Sequence, residues 1–172
     1  MSAPLLIALF AVQTAAAAPG PPPPCAPPEH RQFDFWLGHW DVYPTGKTAL
    51  VAHSLIEKLY AGCTIRENWM PLKGGGGGSL NMYDPADRRW HQTWHDSSNA
   101  RVVFEGGLTD GKMVLTGPWK GVNGPGKDGI VRMTYSREVG GAVRQHGQVS
   151  TDKGATWTDS FDFTYKPSAE PK

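Results

Sequence analysis

A single glutamate set among tryptophans is the feature of this sequence best suited to chemistry. In the segment 63–69, the alternate residues Cys63, Ile65, Glu67 and Trp69 form an apolar set that carries one carboxylate with it. Trp90, Gln92 and Trp94 repeat the pattern with an amide, and Val143, Gln145, Gly147 and Val149 do so again. Met113, Leu115, Gly117 and Trp119 make a wholly apolar counterpart. A carboxyl surrounded by indoles is disfavoured in its ionised form, so its pKa should rise toward neutrality, the condition for general acid–base work. An ionised carboxylate without partners is also expensive to bury, so Glu67 is expected to be paired, protonated or facing a wet cavity.

Other chemistries find less support. No serine sits in a nucleophile elbow, and two cysteines, Cys25 and Cys63, are the whole complement of thiols. Of the six histidines, His91 and His95 share a face, but four residues along a strand span about 13 Å, too far for one ion to bridge. His30, His39, His53 and His146 have no ligand cluster near them in sequence, so no metal site is expected without cross-strand partners. Gly74–Gly78 has the composition of a phosphate loop only: no Lys-Ser or Lys-Thr follows it and no helix opens after it. It is expected to be a mobile loop.

The elements that must position these residues are strands. From Trp36 onward the pattern has period two, cut by turn residues at short intervals. Candidate strands are residues 40–43, 48–59, 63–70, 79–83, 89–96, 101–105, 112–119, 130–137, 142–150 and 157–165. Asp110-Gly111 and Gly140-Gly141 allow the positive φ angles of tight hairpins. No helical stripe appears, apart from a short turn over Arg31–Leu37. Ten short strands with tight connections predict an all-β, antiparallel up-and-down barrel, closure removing the exposed edges. A two-sheet sandwich is the alternative, but only 71–78 and 121–129 are long enough for its crossovers.

Alternation then assigns faces. Trp157, Asp159, Phe161, Phe163 and Tyr165 share one face of the last strand, and in the strand 130–137 the inward set is read as Ile130, Arg132 and Thr134. The interior is therefore expected to hold Glu67, Trp69, Trp90, Gln92, Trp94, Trp119, Arg132 and Gln145. A barrel of about eight strands already leaves room for one small ligand, so ten strands favour a cavity over a core filled by its own side chains.

The N-terminus sets the compartment. Leu5–Val12 is too short to span a bilayer and Ala15-Ala16-Ala17 offers the small residues of a signal-peptidase site, so residues 1–17 read as a signal peptide cut after Ala17. A buried N-terminal helix is the alternative. Seven of residues 19–28 are proline, and residues 18–30 read as an extended spacer before a domain at 31–167 and a disordered tail at 168–172. Two cysteines in an exported chain are expected to pair, Cys25 to Cys63. A lipid anchor on Cys25 would need small and aliphatic residues before it, where the chain has Pro22-Pro23-Pro24. The 172-residue chain has 17 basic and 16 acidic residues, interspersed, for a formal charge of +1. That gives no clustered charge for nucleic acid.

Phe33-Asp34-Phe35-Trp36-Leu37-Gly38-His39-Trp40 opens the domain with Gly-x-Trp on the first strand. This resembles the start of the calycin superfamily, the lipocalins and fatty-acid-binding proteins, where that Trp plugs one end of the barrel. The stretch from Phe33 to Tyr165 is also similar to a family of bacterial exported lipocalin-like proteins of unknown function. The matching pieces are Gly62-Cys63 with Glu67-x-Trp69, Ser79-Leu80-Asn81-x-Tyr83-Asp84, Trp90-His91-Gln92-x-Trp94 with Asp96, Val143-Arg144-Gln145, and Thr156-Trp157 with Phe161-Asp162. More distantly the chain resembles nitrobindin-type haem barrels, which take iron on a His near their C-terminal strands. The corresponding His146 falls on the expected outer face, so no haem and no other cofactor is expected. The functional expectation is a periplasmic or secreted carrier, scavenger or sensor of a small hydrophobic molecule, with no membrane span in the mature chain. The rivals are an isomerase, cyclase or hydrolase using Glu67, and a filled interaction module without ligand.

Overall fold

The structure, a computed structural model, describes residues 24–168. The signal-peptide assignment, the spacer up to Pro23 and the tail beyond Ser168 lie outside the described residues. Two 3₁₀ turns, Pro28–Arg31 and Asp34–Trp36, lead into ten strands. These are β1 (Gly38–Pro44), β2 (Ala52–Leu59), β3 (Thr64–Pro71), β4 (Gly77–Asp84), β5 (Arg89–Asp96), β6 (Arg101–Thr109), β7 (Lys112–Trp119), β8 (Gly129–Arg137), β9 (Val143–Ser150) and β10 (Thr158–Pro167). Each strand pairs antiparallel with its sequence neighbours, and β10 closes on β1 with Val42 opposite Tyr165. The expected ten-stranded antiparallel meander is the observed fold. A sandwich is excluded by the closing pair.

The antiparallel order sorts the connections onto two ends. At one end they are short: residues 60–63, 85–88, 110–111 and 138–142. Asp110 and Gly111 both have positive φ, 50° and 75°, as a two-residue hairpin with the twist of its strands requires. The other connections, 45–51, 72–76, 97–100, 120–128 and 151–157, gather at the opposite end, where the three longest make it the long-loop end.

The short-loop end is plugged. The 3₁₀ turns carry Phe33 and Trp36 inward, stacked at 4.9 Å, and both rings meet Tyr135, at 4.9 and 4.8 Å. Phe33 also takes Trp90 edge-on at 5.7 Å, and the Trp40 indole donates to the Trp36 carbonyl at 2.9 Å. Phe33, Trp36, Tyr135 and Tyr165 are fully buried, so most of the apolar free energy of this end resides in one aromatic cluster. Outside it, the Lys58 ammonium pairs with Asp34, and the Arg137 guanidinium lies 4.5 Å from the Phe35 ring. Cys25 and Cys63 form the expected disulfide, which ties the leading segment to the connection between β2 and β3.

Several sequence expectations need correction. Cys63 precedes β3 instead of opening it, the strand expected from residue 48 begins at Ala52, and the spacer ends before residue 30 because Pro28–Arg31 is already a 3₁₀ turn. Ser168, assigned to the tail, donates its N–H to His39 O at 2.9 Å. The glycine run is a loop only in part, for Gly77 and Gly78 belong to β4. A Cβ at Gly77 would lie 2.7 Å from both the His95 carbonyl oxygen and the Trp94 ring, so glycine is what lets this strand approach β5.

Two faces also differ. In β8 the buried residues are Val131, Met133 and Tyr135, which turns Ile130, Arg132 and Thr134 outward. In β10 the register shifts between Asp159 and Phe161, a bulge at Ser160 that puts Trp157 and Asp159 on the outer face while Phe161, Phe163 and Tyr165 stay inward.

Candidate functional site

Between the aromatic plug and the long-loop end the barrel interior is hollow. The cavity measures about 180 Å³, close to the 150 Å³ that holds a benzene ring in an engineered protein core. Strand alternation fixes which side chains enter it, and strand depth fixes where.

Polar groups gather at the base. The Ser79 hydroxyl on β4 donates to Glu67 Oε2 across the β3–β4 pair at 2.8 Å. Behind it, Gln92 Nε2 donates to Asn81 Oδ1 at 2.6 Å, and Asn81 Nδ2 donates to Ser79 Oγ at 2.9 Å. The wire runs toward the glutamate and ends there. Opposite it, Tyr165 Oη donates to Gln145 Oε1 at 2.6 Å and Gln145 Nε2 donates to Tyr135 Oη at 2.9 Å. Glu67, Gln92, Tyr135, Gln145 and Tyr165 all face the void.

Burial dominates the electrostatics. Removal from water pushes the Glu67 carboxyl up to about 7, only partly opposed by the Ser79 hydrogen bond. Burial, then the neighbouring Glu67 carboxylate, drives the Tyr135 and Tyr165 phenols well above their ordinary range. Near neutral pH the base therefore holds an acid poised between its two forms beside phenols that keep their protons.

The wall above is aromatic. Trp69 faces Phe163 at 5.6 Å, Phe161 and Phe163 stack at 5.5 Å, and Phe104 meets Trp119 edge-on at 6.3 Å. The Trp94 indole is anchored by donating to Asp96 Oδ2 at 3.0 Å. Trp69, Trp94 and Trp119 are half-buried and form the rim.

Six of the eight residues expected in the interior line this cavity: Glu67, Trp69, Gln92, Trp94, Trp119 and Gln145. Trp90 points inward but belongs to the plug, its indole donating to Gln32 Oε1 at 3.1 Å. Arg132 lies outside the barrel, where its guanidinium sits 4.1 Å from the Trp157 ring and donates to Gln148 Oε1. Arg132→Ala should accordingly leave the affinity of any cavity ligand unchanged within twofold, measured by titration calorimetry. Sequence reasoning missed Phe104, Met133 and Tyr135.

The histidines stay away from the cavity. His146 pairs with Asp159 at 2.8 Å on the outer face, and His53 with Asp41 at 2.7 Å. Ligand atoms of Asp84, Asp87 and His91 come within 4.8 Å of one another at the plugged end. Backbone N–H groups of Ala86 and Arg89 already bond those two aspartates, as in ordinary turns.

No protein-family model matches the chain, and no curated protein matches it. Among the described residues no helix is long and apolar enough to cross a membrane.

Proposed function

We propose that this protein is an exported carrier or sensor that holds one small, single-ring-sized apolar molecule inside the barrel, with its polar end at the Glu67 base. The observation that carries this reading is an interior void of about 180 Å³ with aromatic walls and its hydrogen-bonding groups confined to one end. Its volume favours a compact ligand over a long acyl chain. The disulfide and the N-terminal apolar segment support a periplasmic or secreted location. The meander topology and the buried Trp40 after Gly38 support placing the chain among calycin-like barrels.

Three tryptophans on the rim make binding directly visible. A seven- or eight-atom ring compound gaining about 0.7 kcal/mol per atom would bind with a Kd on the order of 0.1 mM. Titrating toluene, benzyl alcohol and cyclohexanol should therefore quench or shift the tryptophan emission with saturation in the millimolar range. A flat response to all three up to their solubility would exclude an accessible cavity.

A second reading is favoured by one observation, the Glu67 carboxyl held near 7 at the base of the same cavity. That is the state a general acid–base catalyst needs for isomerase, cyclase or hydrolase chemistry on a small apolar substrate. With any substrate found, Glu67→Gln should cut turnover by roughly 100-fold or more while leaving binding in place. Unaltered turnover would remove Glu67 from the chemistry.

A further inference from the structure

The side chains facing the void include one acid and no base. Glu67 contributes the one carboxyl, and the Tyr135 and Tyr165 phenols and the Gln145 amide are hydrogen-bonded to one another. Trp69, Trp94, Trp119, Phe161 and Phe163 contribute aromatic rings, whose π-systems attract cations. No Lys, Arg or His lines the cavity. The strands packed around Glu67 bring it no cation either. Ile56 stands opposite on β2, Ser79 and Asn81 are on β4, Gln92 is on β5, and the titratable groups acting on it from β8 and β10 are the phenols of Tyr135 and Tyr165. Buried acids in folded proteins are ordinarily met by a basic side chain or several donors. Here the one donor to the carboxyl among the described residues is the Ser79 hydroxyl. An acid without a counter-ion, beneath a box of aromatic rings, is the arrangement that accepts a positive charge from outside the protein.

We propose that the cavity's ligand is a small organic ammonium ion, its cationic head drawn to Glu67 and the ring faces and its apolar part filling the space beneath the tryptophan rim. This rests on the cavity reading above and narrows its ligand class. The ligand supplies the missing counter-charge, so the glutamate ionises as the ion enters and one proton leaves to solvent. Neutral ligands would instead accept a hydrogen bond from the protonated acid, and anionic ones would be repelled.

Choline and its uncharged isostere 3,3-dimethylbutan-1-ol separate these cases, because they differ in charge and hardly in shape. Both are titrated calorimetrically into the disulfide-bonded mature chain, in two buffers of different ionisation heat. Benzylammonium and benzyl alcohol serve as a second pair. Each cation should bind at least tenfold more tightly than its neutral partner. Choline carries no titratable proton, so protons released report Glu67 alone. With the carboxyl starting near 7, release should approach about 0.9 proton per site at pH 6 and fall toward zero above pH 8. Glu67→Gln, which keeps the volume and whose folding is checked by near-UV circular dichroism, should abolish both the preference and the proton release. If the neutral partners bind as tightly as the cations and no proton is released, the ammonium proposal fails and the cavity reading stands. If neither pair nor any ring compound binds, both fail.

Discussion

At pH 8 the Glu67→Gln protein should be more stable to urea than the parent by about 3 kcal/mol, and the difference should shrink to near zero by pH 4.5. The unfolded chain titrates this carboxyl at 4.5 and the folded chain near 7. A folded-state pKa raised by about 2.5 units corresponds to about 3 kcal/mol. The sign follows from which state binds the proton more tightly. Below 4.5 both states hold it and glutamate costs nothing. Between 4.5 and 7 the unfolded chain releases it first, so parent stability falls as pH rises, and above 7 the loss is complete. Glutamine keeps the shape and the acceptor for Ser79 without the ionisation. The comparison must be a difference between two proteins, because Asp96 and Asp162 carry lowered pKa values and contribute stability in the opposite direction at low pH. Parallel urea curves at pH 4.5, 6 and 8 would mean that the carboxyl is in water.

Removing the Cys25–Cys63 bridge should have the other large effect. It closes a loop with a sequence separation of 38, and the loop-entropy relation gives about 4 kcal/mol of lost stability for Cys25→Ser/Cys63→Ser. The bridge also fixes the start of the segment that carries Phe33 and Trp36 into the barrel end. Loss of the bridge should therefore loosen the plug before the barrel. Equilibrium unfolding with and without reductant, followed by near-UV circular dichroism, measures both. A loss under about 1 kcal/mol would show that the aromatic cluster holds the plug without help.

The barrel was legible because turns and alternation agree along most of the chain. Asp110-Gly111 ends β6, and the inward set of β7, Met113 and Leu115, begins at once on the other side. Glu67 with Trp69 and Gln92 with Trp94 were readable for the same reason: their outward neighbours are Arg66, Asn68, Thr93 and His95. Where both faces of a strand carry apolar residues, alternation does not distinguish inward from outward. Ile130, Val131 and Met133 straddle the two faces of β8, and the long apolar stem of Arg132 covers Trp157 outside, so Arg132 went to the wrong side and Tyr135 was missed. The bulge at Ser160 has no signature in a single sequence, yet it reverses parity for Trp157 and Asp159.

Depth is invisible to alternation altogether. Trp90 and Trp94 share a face of β5, but four residues of strand carry one into the plug and the other to the rim. What decides between them is the 3₁₀ segment at 28–36, whose aromatic residues fill one end and leave the other hollow. The pattern of the sequence marked which residues face inward. Packing by a short non-strand segment determined which of those surround a void.

Carbon-13 NMR of the glutamate side-chain carboxyls, with Glu67 assigned by comparison with Glu67→Gln, reads the state of the cavity base in one titration. Glu67 should give a single carboxyl resonance with its midpoint near 7, accompanied at the same midpoint by the indole signals of the tryptophans above it. A Glu67 midpoint near 4.5, with indole signals indifferent to pH, would contradict a buried Glu67 carboxyl.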